Sequence, residues 1–343
     1  MKAVILAGGM GTRMRPLTYT TTKPMIPFLN KPVIDHIVTK LARQGFKEVI
    51  LTTNYMPEVI EEYFGDGEKW GVEFKTVMED EPLGTAGSVR NALHHLDETF
   101  AVIQGDNISE IDIAKLYKDH KKMGGLLTIC LMEVKDVSLF GIAEMRDDEI
   151  TAYKEKPEPE EVFSNLANTG IYIIEPEVLD MIPLSFYDFS KNLFPKMLKE
   201  RKKICGSVTH SFWRDVGTPR DYMEATQYFL KGNNLLAPGA AVDGKVHKSV
   251  LGRDSRVSGE LDSSVLFERV VVEKGAVVEE SLIGSGTVVK KGAQIGPSCV
   301  IGDNVIIEEG AIVLSNSRIG PNITVGSHNK VGGLLVPDEF KDI

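Results

Sequence analysis

No apolar run in these 343 residues is long enough to span a membrane. The N-terminal one, preceded by a single Lys2, is too short for a signal peptide. Cysteine is scarce: Cys130, Cys205 and Cys299 are scattered, match no zinc spacing and read as reduced thiols. These absences lead to an expected cytoplasmic location with no membrane partner. An excess of basic residues is missing too. A net charge of -10 argues against nucleic acid, since neutralising a phosphate backbone takes a basic surface. It leaves room for a single nucleotide, which needs only a local group of cations and a metal. Composition is otherwise that of an ordinary folded chain, and the length allows two domains at roughly 150 residues each.

Two familiar phosphate loops are also absent. No Lys stands where a Walker A loop requires it, and the third glycine of G-x-G-x-x-G is replaced by Met14. What is present is Leu6-Ala-Gly-Gly-Met-Gly-Thr-Arg13, directly after an apolar strand candidate, with Arg15 and Lys23 close behind. Gly8, Gly9 and Gly11 let the backbone turn and approach a ligand, and the cations beside them suit phosphate. A plain Gly-rich strand-to-helix turn would account for the glycines but not for Arg13, Arg15 and Lys23. The stretch Gly8-Gly-Met-Gly-Thr-Arg-Met-Arg-Pro-Leu-Thr18, followed by Lys23-Pro24, resembles the signature of the sugar-nucleotide pyrophosphorylases, G-G-x-G-T-R-x-x-P-L-T and then K-P.

Up to about residue 231 apolar strands alternate with amphipathic helices. The spacing predicts helices over 33–44, 57–64 and 85–96, and strands over 48–53, 72–77 and 100–104. Such alternation implies βαβ crossovers and a doubly wound, mostly parallel α/β sheet, with ligands at the carboxyl ends of its strands. The Gly8 loop and Asp106 both follow predicted strands, so they fall on one edge.

The resemblance implies roles for particular residues. Leu6, Ala7, Gly8, Gly9, Gly11, Thr12, Arg13 and Lys23 would hold the nucleotide, together with Glu79, Pro82, Gly84, Thr85, Gly105 and Asp106. Glu79 would read the base. A carboxylate only accepts hydrogen bonds, and guanine alone offers two adjacent donors, so GTP is the expected triphosphate. The wording Pro82-Leu-Gly-Thr-Ala-Gly87 also resembles mannose-1-phosphate guanylyltransferases more than thymidylyltransferases. Gly141, Glu155, Lys156, Asn168 and Asp215 would hold the sugar 1-phosphate, with Thr169 standing where the family more often has Ala. Asp106 and Asp215 would bind Mg²⁺, a hard cation that takes carboxylate, phosphate and water oxygens. Arg13, Lys23, Asp106 and Asp215 are thus the expected catalytic set. The read-alone alternatives are bland: an exposed Glu79, a Gly-Asp-Asn surface turn at Asp106, and a solvated strand end at Lys156.

After Lys231 the pattern changes. Val265, Val271, Val277, Ile283, Val289, Ile295, Ile301, Ile307, Val313, Ile319, Val325 and Val331 fall six apart, often with a small residue two places before, as at Ala293, Cys299, Ala311 and Ser317. A fixed hexapeptide period indicates a parallel β-helix, and the resemblance is to the left-handed type. The expected domains are therefore 1–231, a nucleotidyltransferase, and 232–343, a β-helix through which the chain forms a homo-oligomer. The expected reaction joins a sugar 1-phosphate to the α-phosphorus of a nucleoside triphosphate and releases pyrophosphate, with GTP and mannose 1-phosphate favoured. Thymidylyl or uridylyl transfer to glucose 1-phosphate is the near alternative. A non-catalytic nucleotide-sugar-binding subunit, or an acyltransferase using His247 or His328, are the distant ones.

Overall fold

Strand β1 (Lys2–Leu6) is apolar on both faces, with Ala3, Val4 and Ile5 fully buried, as a strand covered by helices on either side must be. The computed structural model, which describes residues 1–341, threads the chain onward through α1 (Val33–Arg43), β2 (Glu48–Thr53), α2 (Pro57–Phe64) and β3 (Glu73–Met78). Then come α3 (Gly84–Asn91), β4 (Phe100–Gln104), α4 (Ile113–Met123) and β5 (Leu127–Glu133). The expected elements at 48–53, 57–64 and 100–104 match to the residue. The helix expected over 85–96 is shorter: after Asn91 the chain tightens into a 3-10 turn (Leu93–His95), with the Ala92 N–H on Val89 O.

The rest of the first region adds β6 (Gly141–Arg146), β7 (Glu149–Glu155), β8 (Leu166–Ile174), α5 (Phe194–Lys199), β9 (Ile204–Thr209) and α6 (Pro219–Leu230). Nine strands form one sheet in the order β3-β2-β1-β4-β8-β5-β9-β7-β6. Its first four strands are parallel throughout, joined by the expected helical crossovers. Its second half is mixed. Strand β8 runs antiparallel to both β4 and β5, and the β6–β7 hairpin, closed by only two residues, has to be antiparallel. Leu6 pairs with Gln104 and with Thr52, so the segments leaving β1, β2 and β4 share the carboxyl edge of the sheet.

From Leu235 the chain winds as a left-handed β-helix whose short strands stack, among the described residues, into three parallel sheets of seven, six and six. Its core is one aliphatic stack, and the small residues Ala293, Cys299, Ala311 and Ser317 are buried in it as expected. The register differs from the expected unbroken period. From Ile283 to Val325 the inward residues fall six apart, but before that they are Leu266, Val272 and Val278, one place later than Val265, Val271 and Val277. The coil pairs Leu251 with Leu266, Leu266 with Ile283 and Ile283 with Ile301, so successive turns take fifteen, seventeen and eighteen residues. The early turns are therefore shorter than the later ones. Both members of Val271-Val272 and Val277-Val278 are apolar, so either could point inward, and stacking of Val272 on Val289 and of Val278 on Ile295 selects the second.

By compactness the chain forms two units: Met1–Gly9 with Ile34–Arg214, and Met10–Val33 with the chain from Asp215 onward. The signature is thereby divided. Gly8 and Gly9 belong to the sheet unit, Gly11, Thr12, Arg13 and Lys23 to the coil unit.

Candidate active site

In the sheet unit, the Gly105 N–H donates to Leu6 O at 2.8 Å and the Ala7 N–H to Thr52 O at 2.8 Å, locking the ends of β1, β2 and β4 together. Leu6 and Ala7 are buried and can offer a ligand only backbone, whereas Gly9 is open. Asp106 is half-buried between two anchored residues, Gly105 and Asn107, whose Nδ2 donates to Thr169 O at 2.8 Å. Glu79 follows β3, and its N–H on Thr53 O brings it to the same edge. It is 5 % exposed. One carboxylate oxygen, Oε2, accepts the Leu83 N–H at 3.2 Å, while the other, Oε1, is buried without a hydrogen-bond partner. A Cβ built on Gly8 would lie 3.8 Å from that Oε1. The exposed-Glu79 alternative is therefore wrong, and the orphan oxygen stands beside the glycine loop.

The Gly84 turn is differently employed. Tyr187 O accepts the N–H groups of Ala86 (3.0 Å) and Gly87 (2.9 Å), and the Thr85 hydroxyl donates to Asp188 Oδ2 at 2.9 Å. The start of α3 is thus spent on holding 187–189, while Pro82 is exposed.

On the other half of the same sheet, Glu155 pairs across the β6–β7 hairpin with Gly141. Asn168 Nδ2 donates to the hydroxyls of Tyr153 (3.1 Å) and Tyr172 (3.0 Å), and its Oδ1 accepts the Gly170 N–H at 2.9 Å. The Tyr153 hydroxyl in turn donates to Glu155 Oε2 (3.2 Å) and lies within hydrogen-bond reach of the Ser190 hydroxyl (2.9 Å). A Cβ on Gly141 would lie 1.8 Å from the Tyr153 hydroxyl, so only glycine fits. Burial first, then the neighbouring Tyr172 and Glu155, pushes the Tyr153 phenol well above its ordinary value, and burial does the same to Tyr172. Both remain neutral hydrogen-bonding groups. Thr169 does not narrow this cluster, because its hydroxyl is committed to Cys130 O at 2.8 Å. Lys156 is exposed, with a left-handed backbone (φ 44) and its N–H on Phe140 O at 3.0 Å. Gly141, Glu155 and Asn168 were legible by resemblance; Tyr153, Tyr172 and Ser190 were not, since nothing local marks a tyrosine in a strand as polar-facing.

In the coil unit, Gly11 takes φ 63, and a Cβ there would lie 2.9 Å from both Lys23 Cβ and Thr18 Cγ2. The Thr18 hydroxyl donates to Gly11 O at 3.0 Å and closes the turn that presents Thr12 and Arg13 to solvent. Lys23 is 8 % exposed, and its Nζ stands 3.4 Å from Asp215 Oδ1. Two residues expected to serve different substrates are therefore paired. Gly217, which was missed, completes the group: a Cβ on it would lie 2.8 Å from Arg13 Nη2 and 3.0 Å from Asp215 Oδ1. Thr218 then caps α6, its hydroxyl accepting the Asp221 N–H at 3.2 Å, which fixes the chain just after Asp215. Among the described residues no three His, Cys, Asp or Glu side chains gather to bind a metal by themselves.

Residues 2–232 match the nucleotidyl transferase family. The chain belongs to that family. Residues 280–315 match the six-repeat bacterial transferase hexapeptide family. Over 334 residues it is 36 % identical to the probable mannose-1-phosphate guanylyltransferase 2 of Oryza sativa subsp. japonica, covering 89 % of this chain and 92 % of that one. It is 33 % identical over 320 residues to the UTP–glucose-1-phosphate uridylyltransferase of a Synechocystis strain, covering 88 % and 82 %. Among solved structures, a putative glucose-1-phosphate thymidylyltransferase from Bacillus anthracis superposes with a TM-score of 0.60 at 28 % identity, over 66 % of this chain and 93 % of that one. HddC from Yersinia pseudotuberculosis complexed with GMP-PN gives a TM-score of 0.57 at 28 % identity, over 66 % and 99 %. This nucleotidyltransferase is thus a sugar-nucleotide pyrophosphorylase, an enzyme that transfers a nucleotidyl group to a sugar 1-phosphate. Its relatives commonly use a divalent metal. Among the described residues no helix is long and apolar enough to cross a membrane.

Proposed function

We propose that this enzyme transfers a guanylyl group from GTP to mannose 1-phosphate, forming GDP-mannose and pyrophosphate. The observation that carries the base is Glu79: a buried carboxylate with one oxygen lacking a donor, next to the glycine loop. Guanine N1–H and its 2-amino group would supply donors, whereas uracil or thymine would set a carbonyl against it. An unpaired buried acceptor costs about 1–3 kcal/mol, so discrimination of roughly ten- to a hundredfold is expected from this residue. The names of the rice relative and of the GMP-PN complex point the same way.

A phosphate oxygen of the sugar 1-phosphate attacks the α-phosphorus, and the bond to the α,β-bridging oxygen breaks as pyrophosphate leaves. The attacking monoester has a second pKa of about 6 and is largely dianionic already, so the enzyme needs no general base. It needs alignment and neutralised charge. Arg13 holds the departing phosphates, Lys23 the α-phosphate and Lys156 the attacking phosphate. Asp106 and Asp215 would hold Mg²⁺, since two carboxylates completed by phosphates and water suit it; the ion supplies charge stabilisation. The Asn168, Tyr153 and Glu155 cluster holds the sugar hydroxyls.

We place the domain boundary at 231/232, where Lys231 caps α6 with φ 50 and the first coil strand follows at Leu235–Leu236. We propose self-association through the coil, which light scattering would test. The three buried thiols fit a reducing cytoplasm.

The test is pyrophosphate release with Mg²⁺, crossing GTP, dTTP and UTP with mannose and glucose 1-phosphates, for the wild type and Glu79→Gln. Turnover with GTP and mannose 1-phosphate, and a ranking that relaxes in the variant, is expected. A preference for UTP or dTTP keeps the reaction and overturns the base reading.

A further inference from the structure

The β-helix is commonly read as a scaffold, yet one of its side chains reaches the nucleotide loop. One outward column of the coil runs Val250, Val265, Leu282, Val300, each paired with the next and each at most 2 % exposed. The next member is Arg318. A guanidinium in an apolar, covered column is costly unless its N–H groups find acceptors. Here they do: Arg318 Nη1 donates to Arg13 O at 3.0 Å and also to Arg15 O. Both carbonyls belong to the Gly11–Arg15 turn. The same turn's continuation is tied down twice more. Thr20 Oγ1 donates to Asp303 Oδ2 at 2.6 Å, and Asp303 Oδ1 is itself fixed by the Ser285 N–H at 2.7 Å. The Tyr19 ring stacks on Phe340 at 4.5 Å.

We infer that Arg318 is a positioning residue for nucleotidyl transfer: from the coil, and within the same chain, it fixes the backbone from which Arg13 reaches the triphosphate. Arg13 is exposed and its 3-10 turn is three residues long, so the turn has little internal stiffness. One guanidinium nitrogen, Nη1, bonded to two carbonyls two residues apart supplies it. Misplacement of a phosphate-holding group by an ångström is worth up to about a hundredfold in rate. The inference rests on the assignment of Arg13 to the nucleotide's phosphates.

The experiment is steady-state kinetics of full-length Arg318→Ala, Arg318→Lys, Asp303→Asn and Arg13→Ala, varying each substrate separately, with Tm measured alongside. Arg318→Ala is expected to lower kcat/KM for the triphosphate about tenfold or more, leaving KM for the sugar 1-phosphate and Tm unchanged. Arg318→Lys, which keeps a charged donor, is expected to recover part of the loss, and Asp303→Asn to show a smaller change of the same kind. If Arg318→Ala does not fold, Asp303→Asn and Arg318→Lys carry the test by the same split between substrates. Unchanged triphosphate kinetics, or an equal loss toward both substrates with a lowered Tm, overturns the positioning role. Arg13→Ala separates the two levels. If it leaves the triphosphate kinetics intact, the assignment of Arg13 fails and the inference with it. If it is damaging while Arg318→Ala is silent, the inference alone fails.

Discussion

The sheet unit and the coil treat their buried polar groups in opposite ways. In the coil, hydroxyls form a ladder from turn to turn: the Ser264 N–H bonds Ser249 Oγ, the Ser281 N–H bonds Ser264 Oγ, and the Cys299 N–H bonds Ser281 Oγ. Among the described residues no buried polar side-chain atom of the β-helix turns from Leu235 onward lacks a partner, while in the sheet unit Glu79 Oε1, Thr52 Oγ1, Trp213 Nε1 and two Arg90 nitrogens do. A region whose polar groups are all satisfied is a finished scaffold. One that leaves a carboxylate oxygen buried and unpaired has stability withheld from it, which is consistent with the base-reading role proposed for Glu79. The two coil histidines fit the scaffold reading. His247 is exposed and bonds Asp262 at 2.8 Å, and His328 is a corner residue (φ 56) stacked over Gly310.

Substitutions can break this contrast. The largest effect is expected from Asp106→Ala and Asp215→Ala, each lowering kcat on the order of a thousandfold or more with Tm little changed. Near-full pyrophosphate release by either variant would remove that residue from the metal site. Next comes Gly141→Ala, whose methyl would collide with the Tyr153 hydroxyl. KM for the sugar 1-phosphate should rise about tenfold or more while KM for the triphosphate holds, and equal changes in both would count against a sugar site there. Ile301→Ala in the coil core should do the reverse, costing about 2–5 kcal/mol in denaturant unfolding with both KM values unchanged.

The smallest effect is one of pH. Burial, outweighing the Glu175 carboxylate, holds His120 below its ordinary 6.5. The unfolded chain therefore takes up this proton first, so stability falls as pH drops below about 6.5 and is insensitive to His120 above it. His120→Asn should flatten that slope in thermal melts; an unchanged slope would assign it to other groups.

How much of this was legible depended on how far apart the interacting residues lie. The signature turn, the strand ends and the coil period are local. A Gly-rich turn after an apolar strand, or a branched aliphatic every six residues, carries its own physical reason within a few positions. The cluster proposed to hold the sugar was half legible: Gly141, Glu155 and Asn168 came through motifs, but Tyr153 and Ser190 meet Asn168 from 15 and 22 residues away.

By itself, then, the sequence determined that an α/β region is followed by a hexapeptide coil, because periodicity and a turn's stereochemistry depend on near neighbours, while the nucleotidyltransferase reading came from its resemblance to a known family. Only the tertiary structure decided which valine of each early pair points inward, since both are equally apolar and the choice is made by the turn stacked against them. It also decided that Glu79 is buried with an oxygen to spare, and that Arg318, some three hundred residues from the loop, holds its carbonyls. Burial and hydrogen bonding between distant segments are properties of the packed chain, and no local pattern encodes them.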